Sequence, residues 1–330
     1  MLSEADIERI AALWTPDDWP VSADAYAIAC NRTPFAYYVE RIRHLGISGG
    51  FVIDAGCGSG RWSFPLATAF DEVLGFDYTD WRLTTALWLK ERLQTPTVSF
   101  VPGDILNIPV QDARADAIYC NSVVIGNISV DRVLQECFRV LKPGGLCYLG
   151  LNGLGYAYEL SQRVGGKHNE YGRQRIYNTY CQRHLATLIP KMRPRGSSNG
   201  RLKSRLRRGR SPAQVLADIG AGAAAVEAAR IVDADLGAAY TATLAADLAA
   251  IAAGEASEFS HVRAGLDFEP GEIEVAARAA GFGRFEWARD GRLSLRPDGS
   301  VGKEPSPRAV PGPGDFEGRL RVFEMLIWKP

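Results

Sequence analysis

The sequence predicts an α/β protein with a doubly wound, mainly parallel sheet and an inserted, mostly helical cap. Short apolar runs alternate with helical patterns over 51–151, and such alternation is typical of parallel sheets. No clear strand is predicted over 152–269, whereas 270–330 again contains a helix and two strands. We therefore expect an N-terminal helical segment over 1–50, a core made of 51–151 and 270–330, and a cap over 152–269.

The composition is that of an ordinary folded protein. The chain has 330 residues, of which 46% are hydrophobic and 23% are charged, and its 38 basic residues balance 38 acidic ones. This composition excludes a disordered chain, a collagen-like chain and a small disulfide scaffold. The zero net charge predicts no nucleic-acid or membrane partner.

The cysteines, the apolar runs and the N-terminal residues together predict a cytoplasmic location. None of the six cysteines forms a C-x-x-C motif or a zinc-spaced Cys/His cluster, no apolar run reaches 18 residues, and the N-terminus has no signal-peptide pattern. We expect reduced thiols, no bound metal, no membrane span and a cytoplasmic protein.

The elements follow in order along the chain. Ser3 and Asp6 are placed to cap a short helix, and a second helix is expected from about Pro34 to Leu45, before Gly49-Gly50. Five strands are then predicted at 51–56, 72–77, 97–104, 115–124 and 146–152, with helices at about 60–70, 80–92 and 130–140. A helix at 270–282, strands at 284–290 and 319–330, and a long hairpin loop over 291–318 complete the prediction.

The sharpest motif is the stretch Asp54-Ala-Gly56-Cys-Gly58-Ser-Gly60, in which a strand enters a glycine-rich turn and then a helix. Glycines permit a tight turn and a close approach of a ligand to the backbone, and the helix N-terminus offers free N–H groups. The dinucleotide fingerprint G-x-G-x-x-G is not met in either register. The motif therefore argues against NAD.

Polar residues end the next three strands. Asp77 ends the second strand, where a carboxylate accepts hydrogen bonds from a ribose diol. Asp104 ends the third and is suited to an adenine amino group, while Ile105 is suited to pack on the ring. Asn121 ends the fourth strand, near the expected reaction centre.

With these motifs in place, the chain resembles the class I S-adenosylmethionine-dependent methyltransferases. The glycine-rich loop, Asp77, Gly103-Asp104-Ile105 and the turn Leu141–Gly145 match the family's motifs, and the resemblance covers roughly 34–151 and 270–330. It implies a seven-stranded sheet that ends in an antiparallel pair, and S-adenosylmethionine as the cofactor. The cofactor-binding residues expected from the matched motifs are Asp54, Gly56, Gly58, Gly60, Asp77, Asp104 and Ile105. Tyr78 and Asn121 are added because of their positions beside these motifs.

The acceptor side has no family motif, so its residues are predicted from position. Methyl transfer depends largely on alignment and exclusion of water, and an oxygen nucleophile also needs a general base. His168 follows strand five and is the first candidate for that base, with His184 second. Tyr156 and Tyr171 are expected to contact the substrate. A structural role for His168 is the competing interpretation.

The basic stretch 191–210 is consistent with more than one class of methyl acceptor. Clustered Lys and Arg bind phosphates, but the stretch is equally consistent with a solvated loop. We favour O-methylation of a sugar or another small hydroxylated, anionic acceptor in bacterial polysaccharide or secondary metabolism. That acceptor is a small molecule or a glycan, and a phosphorylated one is included. The alternatives are an RNA or protein methyltransferase that uses the basic stretch, and a catalytically silent S-adenosylmethionine-binding partner protein.

Overall fold

A computed structural model describes residues 1–24, 27–28, 31–123, 128–161, 167–192, 206, 209–261, 267–268, 270–290, 293–295, 301–303 and 322–330. The strands are β1 (Gly49–Ala55), β2 (Phe70–Asp77), β3 (Val98–Pro102), β4 (Ala115–Asn121), β5 (Leu141–Asn152), β6 (Arg284–Asp290), β7 (Leu293–Leu295), β8 (Val301–Lys303) and β9 (Val322–Trp328).

The helices that belong with the sheet are α1 (Glu4–Leu13), α2 (Phe35–Leu45), α3 (Ser63–Leu66), α4 (Asp80–Leu93) and α5 (Val130–Val140). The helices that follow β5 are α6 (Leu154–Ser161), α7 (Lys167–Tyr180), α8 (Ile189–Met192), α9 (Pro212–Asp218), α10 (Ala223–Ile231), α11 (Ala238–Ala253) and α12 (Pro270–Ala280). Short π-helical turns at Cys181–Leu185 and Val232–Leu236 and a 3-10 turn at Ala186–Leu188 connect some of them.

Seven strands form one sheet in the order β3-β2-β1-β4-β5-β9-β6. The five strands β1 to β5 pair in parallel, and β9 is antiparallel to both β5 and β6. The predicted seven-stranded sheet with an antiparallel final pair is therefore confirmed. A second, two-stranded sheet of β7 and β8 lies within the stretch that was predicted to be a loop, so that prediction was wrong for six residues.

Successive side chains of β1 point to opposite faces of the sheet, and each face is covered by helices. Ile53 belongs to a hydrophobic cluster that includes Val133 of α5 and Ile273 of α12. Val52 belongs to another cluster, which includes Ile10 of α1 and Leu89 of α4. Burial of both faces explains why the parallel strands are continuous apolar runs in the sequence.

The N-terminal helices follow their local signals. Ser3 and Asp6 form a reciprocal capping box at the start of α1, and hydrogen bonds from Ser3 lower the pKa of Asp6. Helix α2 begins after Pro34 and ends at Gly46 in a left-handed conformation. Strand β1 begins at Gly49, two residues before the predicted start of the first strand.

Two predicted elements are shorter than expected. Helix α3 has four residues instead of about eleven, because the chain from Ala67 to Ala69 forms tight turns with bonds to residues three positions earlier. Strand β3 ends at Pro102, so Asp104 lies beyond the strand in an isolated bridge with Asn107. A proline donates no backbone hydrogen bond, which favours the end of pairing there.

Between β5 and α12, the described residues form helices, turns and irregular connections and include no strand, apart from one bridge between Gly153 and Phe268. These helices bury a hydrophobic cluster of their own, which includes Tyr177, Leu185 and Leu244. The insertion therefore has a separate core. Its role as a cap over the site stays a prediction.

No helix among the described residues is long and apolar enough to cross a membrane. The same part of the chain contains no cluster of three or more potential metal ligands among its His, Cys, Asp and Glu side chains.

Candidate active site

A cavity of about 600 Å³ lies at the carboxyl ends of β1, β4 and β5. This is the edge at which open α/β sheets bind ligands. Its lining comes from the glycine-rich loop, from the strand ends and from the insertion: Asp24, Asp54, Gly56, Cys57, Gly58, Ser59, Arg61, Trp62, Arg82, Asn121, Ser122, Asn152, Tyr156, Tyr171 and Arg175. The structure thus brings together residues far apart in the sequence.

Asp77 connects the glycine-rich loop to the end of β2. Its carboxylate accepts a hydrogen bond from the Gly58 N–H at 2.9 Å and another from the Thr79 N–H at 2.9 Å. Each carboxylate oxygen has a further lone pair, which is available to a hydroxyl donor. The side chain is buried and does not itself line the cavity. Its position is compatible with the predicted ribose contact.

Two glycines of the motif serve different needs. Gly58 has a φ of +56°, and the nearest atom to a Cβ placed there is Arg82 Cδ at 3.9 Å. A ligand could therefore lie directly against this backbone. A Cβ on Gly60 would lie 2.8 Å from Phe64 and 2.9 Å from Phe100, so Gly60 is required by internal packing rather than by ligand approach.

Asp54 is a buried carboxylate in the wall of the cavity. Burial raises its pKa to about 7, against the opposing hydrogen bond from Ser63 and the charge of Arg61, and Asp77 adds a small further increase. The Ser63 Oγ donates to Asp54 Oδ2 at 2.6 Å. The charge of this side chain therefore changes close to neutral pH, beside the glycine-rich loop.

The remaining cofactor predictions lie outside this cavity. Tyr78 follows Asp77 and is 83% exposed. Asp104 is exposed and accepts a bond from the Leu106 N–H at 2.9 Å. Ile105 is buried in the hydrophobic cluster that includes Ile53. Their contacts with an adenine ring stay predictions.

The two predicted acceptor tyrosines line the same cavity as the glycine-rich loop. Tyr156 belongs to α6, and Tyr171 belongs to α7. His168 also lies on α7, but its side chain is outside the described part of the structure. His184 stacks on Tyr180 with ring centroids 5.9 Å apart and does not line the cavity. No histidine is found among the described lining residues, so the general base stays unassigned.

Sequence reasoning missed several lining residues. Asn152 ends β5 as Asn121 ends β4, and this parallel could have identified it. Arg175 was not predicted to line the site, although it lies one helical turn after Tyr171 and contacts its hydroxyl. Its partner Asp267 is 92 positions away, and no local pattern connects the two.

The basic stretch 191–210 is described at residues 191–192, 206 and 209–210. The predicted capture of an anion by this stretch therefore falls outside the described residues.

Comparison with known proteins supports the assignment of the core. Residues 52–145 match the model of a family described as methyltransferase domain. A malonyl-[acyl-carrier protein] O-methyltransferase of Pectobacterium atrosepticum is 32% identical over 147 residues, which are 43% of this chain and 56% of that protein. An arsenite methyltransferase of Aquipseudomonas alcaligenes is 37% identical over 112 residues, 31% of this chain and 32% of that protein. The chain thus spans about half or less of these relatives.

Two solved structures align with this chain. A SAM-dependent methyltransferase from Thermotoga maritima aligns over 89% of both chains, with 14% identity and a TM-score of 0.42. An S-adenosylmethionine-dependent methyltransferase from Mesorhizobium loti covers 36% of this chain and 54% of its own, with 20% identity and a TM-score of 0.31.

The strand order, the glycine-rich loop held by Asp77 and the matched domain over 52–145 agree with one another. Residues 52–145 are thus identified as a methyltransferase domain, and this part of the chain is similar to S-adenosylmethionine-dependent methyltransferases.

Proposed function

We propose that this chain transfers a methyl group from S-adenosylmethionine to an oxygen of a small, hydroxyl-bearing acceptor. The observation that carries the proposal is the single cavity in which the glycine-rich loop meets Tyr156 and Tyr171. A methyl donor held by the loop would lie beside an acceptor held by the tyrosines. Alignment of two bound reactants is the main requirement of this chemistry.

The residues of the loop fit the cofactor. Gly58 leaves open space against its backbone, and Asp77 holds the loop while keeping lone pairs for hydroxyl donors. Asp54 offers a carboxylate for the amino group at the methionine end. When bound, S-adenosylmethionine supplies a methyl group that is already activated by its sulfonium sulfur.

The acceptor side is polar. Hydroxyl or amide groups of Asn121, Ser122, Asn152, Tyr156 and Tyr171 line the cavity, and these groups hydrogen-bond well to a hydroxylated compound. A volume of about 600 Å³ lies within the usual range for small-molecule sites. The relatives are named for acceptors as different as malonyl-[acyl-carrier protein] and arsenite. The polar lining therefore supports the choice of acceptor more than any relative does.

Binding of the cofactor is tested first. Isothermal titration calorimetry with S-adenosylmethionine and S-adenosylhomocysteine should show binding to the wild type, and NAD should not bind. Asp77→Ala should weaken binding at least a hundredfold, because the loop loses the charge-assisted hydrogen bond from the Gly58 N–H and the ligand loses an acceptor. Thr68→Ala is the matched control, since the Thr68 hydroxyl bonds to the Pro65 carbonyl away from the cavity. Binding of NAD alone would overturn the proposal.

Transfer is tested next with S-adenosylmethionine labelled at the methyl carbon. The wild type is incubated with alcohols, phenols and hydroxy acids, and the products are identified by mass spectrometry and NMR. An O-methyl product that depends on the acceptor is expected, with reduced kcat/KM in Tyr156→Phe. Label that is incorporated into RNA or protein while every small acceptor stays unmodified would contradict the proposal.

A further inference from the structure

Arg175 is a buried arginine in the wall of the cavity. It belongs to α7 and is 2% exposed. Its Nε donates to Asp267 Oδ2 at 3.0 Å, and its Nη2 donates to Asp267 Oδ1 at 2.5 Å. This paired geometry holds a planar guanidinium in one orientation. The side chain is therefore rigid before any ligand arrives.

The position of Asp267 is itself well defined. Its N–H donates to Thr179 Oγ1 at 3.3 Å, and Arg183 donates to its carbonyl oxygen. The next residue, Phe268, bridges to Gly153 at the end of β5. The guanidinium of Arg175 is thus placed relative to the edge of the sheet where the cavity opens.

Arg175 and Tyr171 together present hydrogen-bond donors. The Nη1 of Arg175 donates to the Tyr171 hydroxyl oxygen at 3.2 Å, so the proton of that hydroxyl is available to another acceptor. Three of the five N–H groups of Arg175 donate hydrogen bonds to residues that the structure describes. Both side chains line the cavity. A ligand atom beside them would be met by donors.

Arginines outnumber carboxylates among the described residues that line the cavity. Burial by itself lowers the pKa of Arg175, but the Asp267 carboxylate outweighs it and the pKa is raised, so the guanidinium stays charged. Arg61 and Arg82 also line the cavity. The carboxylates in the described lining are Asp24 and Asp54, and the raised pKa of Asp54 removes part of its negative charge near neutral pH.

We infer that Arg175, together with Tyr171, binds a carboxylate of the acceptor, so that the acceptor is a hydroxycarboxylic acid. This inference rests on the proposed function, because it assigns the acceptor class of the same cavity. A carboxylate has two oxygens in one plane, which match a guanidinium N–H and a neighbouring phenol O–H.

A purely structural role is the main competitor, and Arg183 provides the matched control. Arg183 also donates to residue 267 and forms an ion pair with Glu272 at 2.6 Å, but it does not line the cavity. If the sole role of Arg175 were to anchor the insertion, loss of Arg175 and loss of Arg183 would have the same effect on ligand binding. A ligand-binding role requires that the two variants differ.

The test uses two isosteric pairs, lactate with lactamide and salicylate with salicylamide. Each compound is titrated into the full chain saturated with S-adenosylhomocysteine. The wild type should bind at least one acid about tenfold more tightly than its amide, since a charged hydrogen bond is lost in the amide. Arg175→Lys should remove that preference, and Arg183→Lys should retain it. Tyr171→Phe should weaken the acid several-fold without breaking the ion pair.

Several outcomes would overturn the inference. One is equal affinity of the wild type for each acid and its amide, and another is an equal loss of the preference for the acid in Arg175→Lys and Arg183→Lys. The others are that neither acid binds, or that inorganic phosphate binds more tightly than both acids. In each case, S-adenosylhomocysteine still binds and the proposed function stands. Failure of S-adenosylhomocysteine to bind the wild type would instead count against the proposed function itself.

Discussion

The two halves of the cavity are built by different means. On the sheet side, the glycine-rich loop is held by short contacts at adjacent strand ends, such as Gly58 with Asp77 across 19 positions. On the insertion side, Arg175 is held by Asp267 across 92 positions. The first half is determined by backbone geometry, and the second half by a buried ion pair.

This difference has consequences for stability and specificity. A loop that depends on strand ends and glycines persists as long as the sheet does, and it can serve one cofactor throughout a family. A wall that depends on a buried ion pair can change when one residue changes, which allows the acceptor to vary while the cofactor does not.

The largest expected effect is loss of the ion pair on the insertion side. Asp267→Ala leaves the buried charge of Arg175 without its carboxylate, which should lower the free energy of unfolding by about 3–5 kcal/mol. The exposed pair Arg278–Glu274 on α12, at 2.6 Å, is the control, and Glu274→Ala should cost less than about 1 kcal/mol. Urea unfolding measures both. Equal losses would show that the insertion does not depend on this pair.

On the sheet side, Asp54 should make stability depend on pH. Its pKa is raised from 3.8 to about 7 on folding, so the folded protein holds a proton that the unfolded chain releases. The corresponding stabilisation is present below about pH 4 and is lost as the pH rises to about 7, by at most about 4 kcal/mol. Asp54→Asn should lack this loss.

Urea unfolding of wild type and Asp54→Asn across this pH range measures the effect. Asp116 provides a control, because its pKa shifts in the opposite direction from that of Asp54. Burial tends to raise its pKa, but bonds from Lys142 and the Phe51 N–H outweigh this and lower it, so its contribution is lost as the pH falls through the lowered pKa. Parallel pH profiles for wild type and Asp54→Asn would contradict the prediction.

Substitution of Gly60 should mainly reduce stability, whereas substitution of Gly58 should mainly reduce cofactor binding. Gly60→Ala places a Cβ against Phe64 and Phe100 at a φ of +85°, and should cost about 2–4 kcal/mol through overpacking and backbone strain. Gly58→Ala meets open space and should cost about 1–2 kcal/mol, yet weaken S-adenosylhomocysteine binding more than tenfold. Urea unfolding and calorimetry measure the two effects. The reverse pattern would mean that Gly60 is the ligand-facing glycine.

The smallest expected change in stability comes from a helix cap in the insertion, and it tests whether local signals also stabilise that region. Ser211 forms a capping box with Gln214 at the start of α9, and Pro212 occupies the first helical position. Ser211→Ala should lower the free energy of unfolding by about 1 kcal/mol, measured by urea unfolding. A loss as large as that of Asp267→Ala would weaken the contrast between local and long-range determinants.

Much of the fold could be predicted because its signals are local. The alternation of apolar runs and helical patterns predicted the parallel strands, and the capping box of Ser3 predicted α1. The ends of elements were less predictable. The end of β3 at Pro102 depends on its pairing with β2, and the length of α3 depends on the tight turns that follow it.

The sequence by itself determined the sheet and the glycine-rich loop with Asp77, because strand ends and glycine turns are encoded in consecutive residues. The tertiary structure alone decided that Arg175 faces the cavity beside Tyr171 and that Asp267 compensates its charge. Side chains from distant segments meet according to how helices pack on the end of a sheet. That packing depends on burial summed over the whole chain, which no local pattern contains.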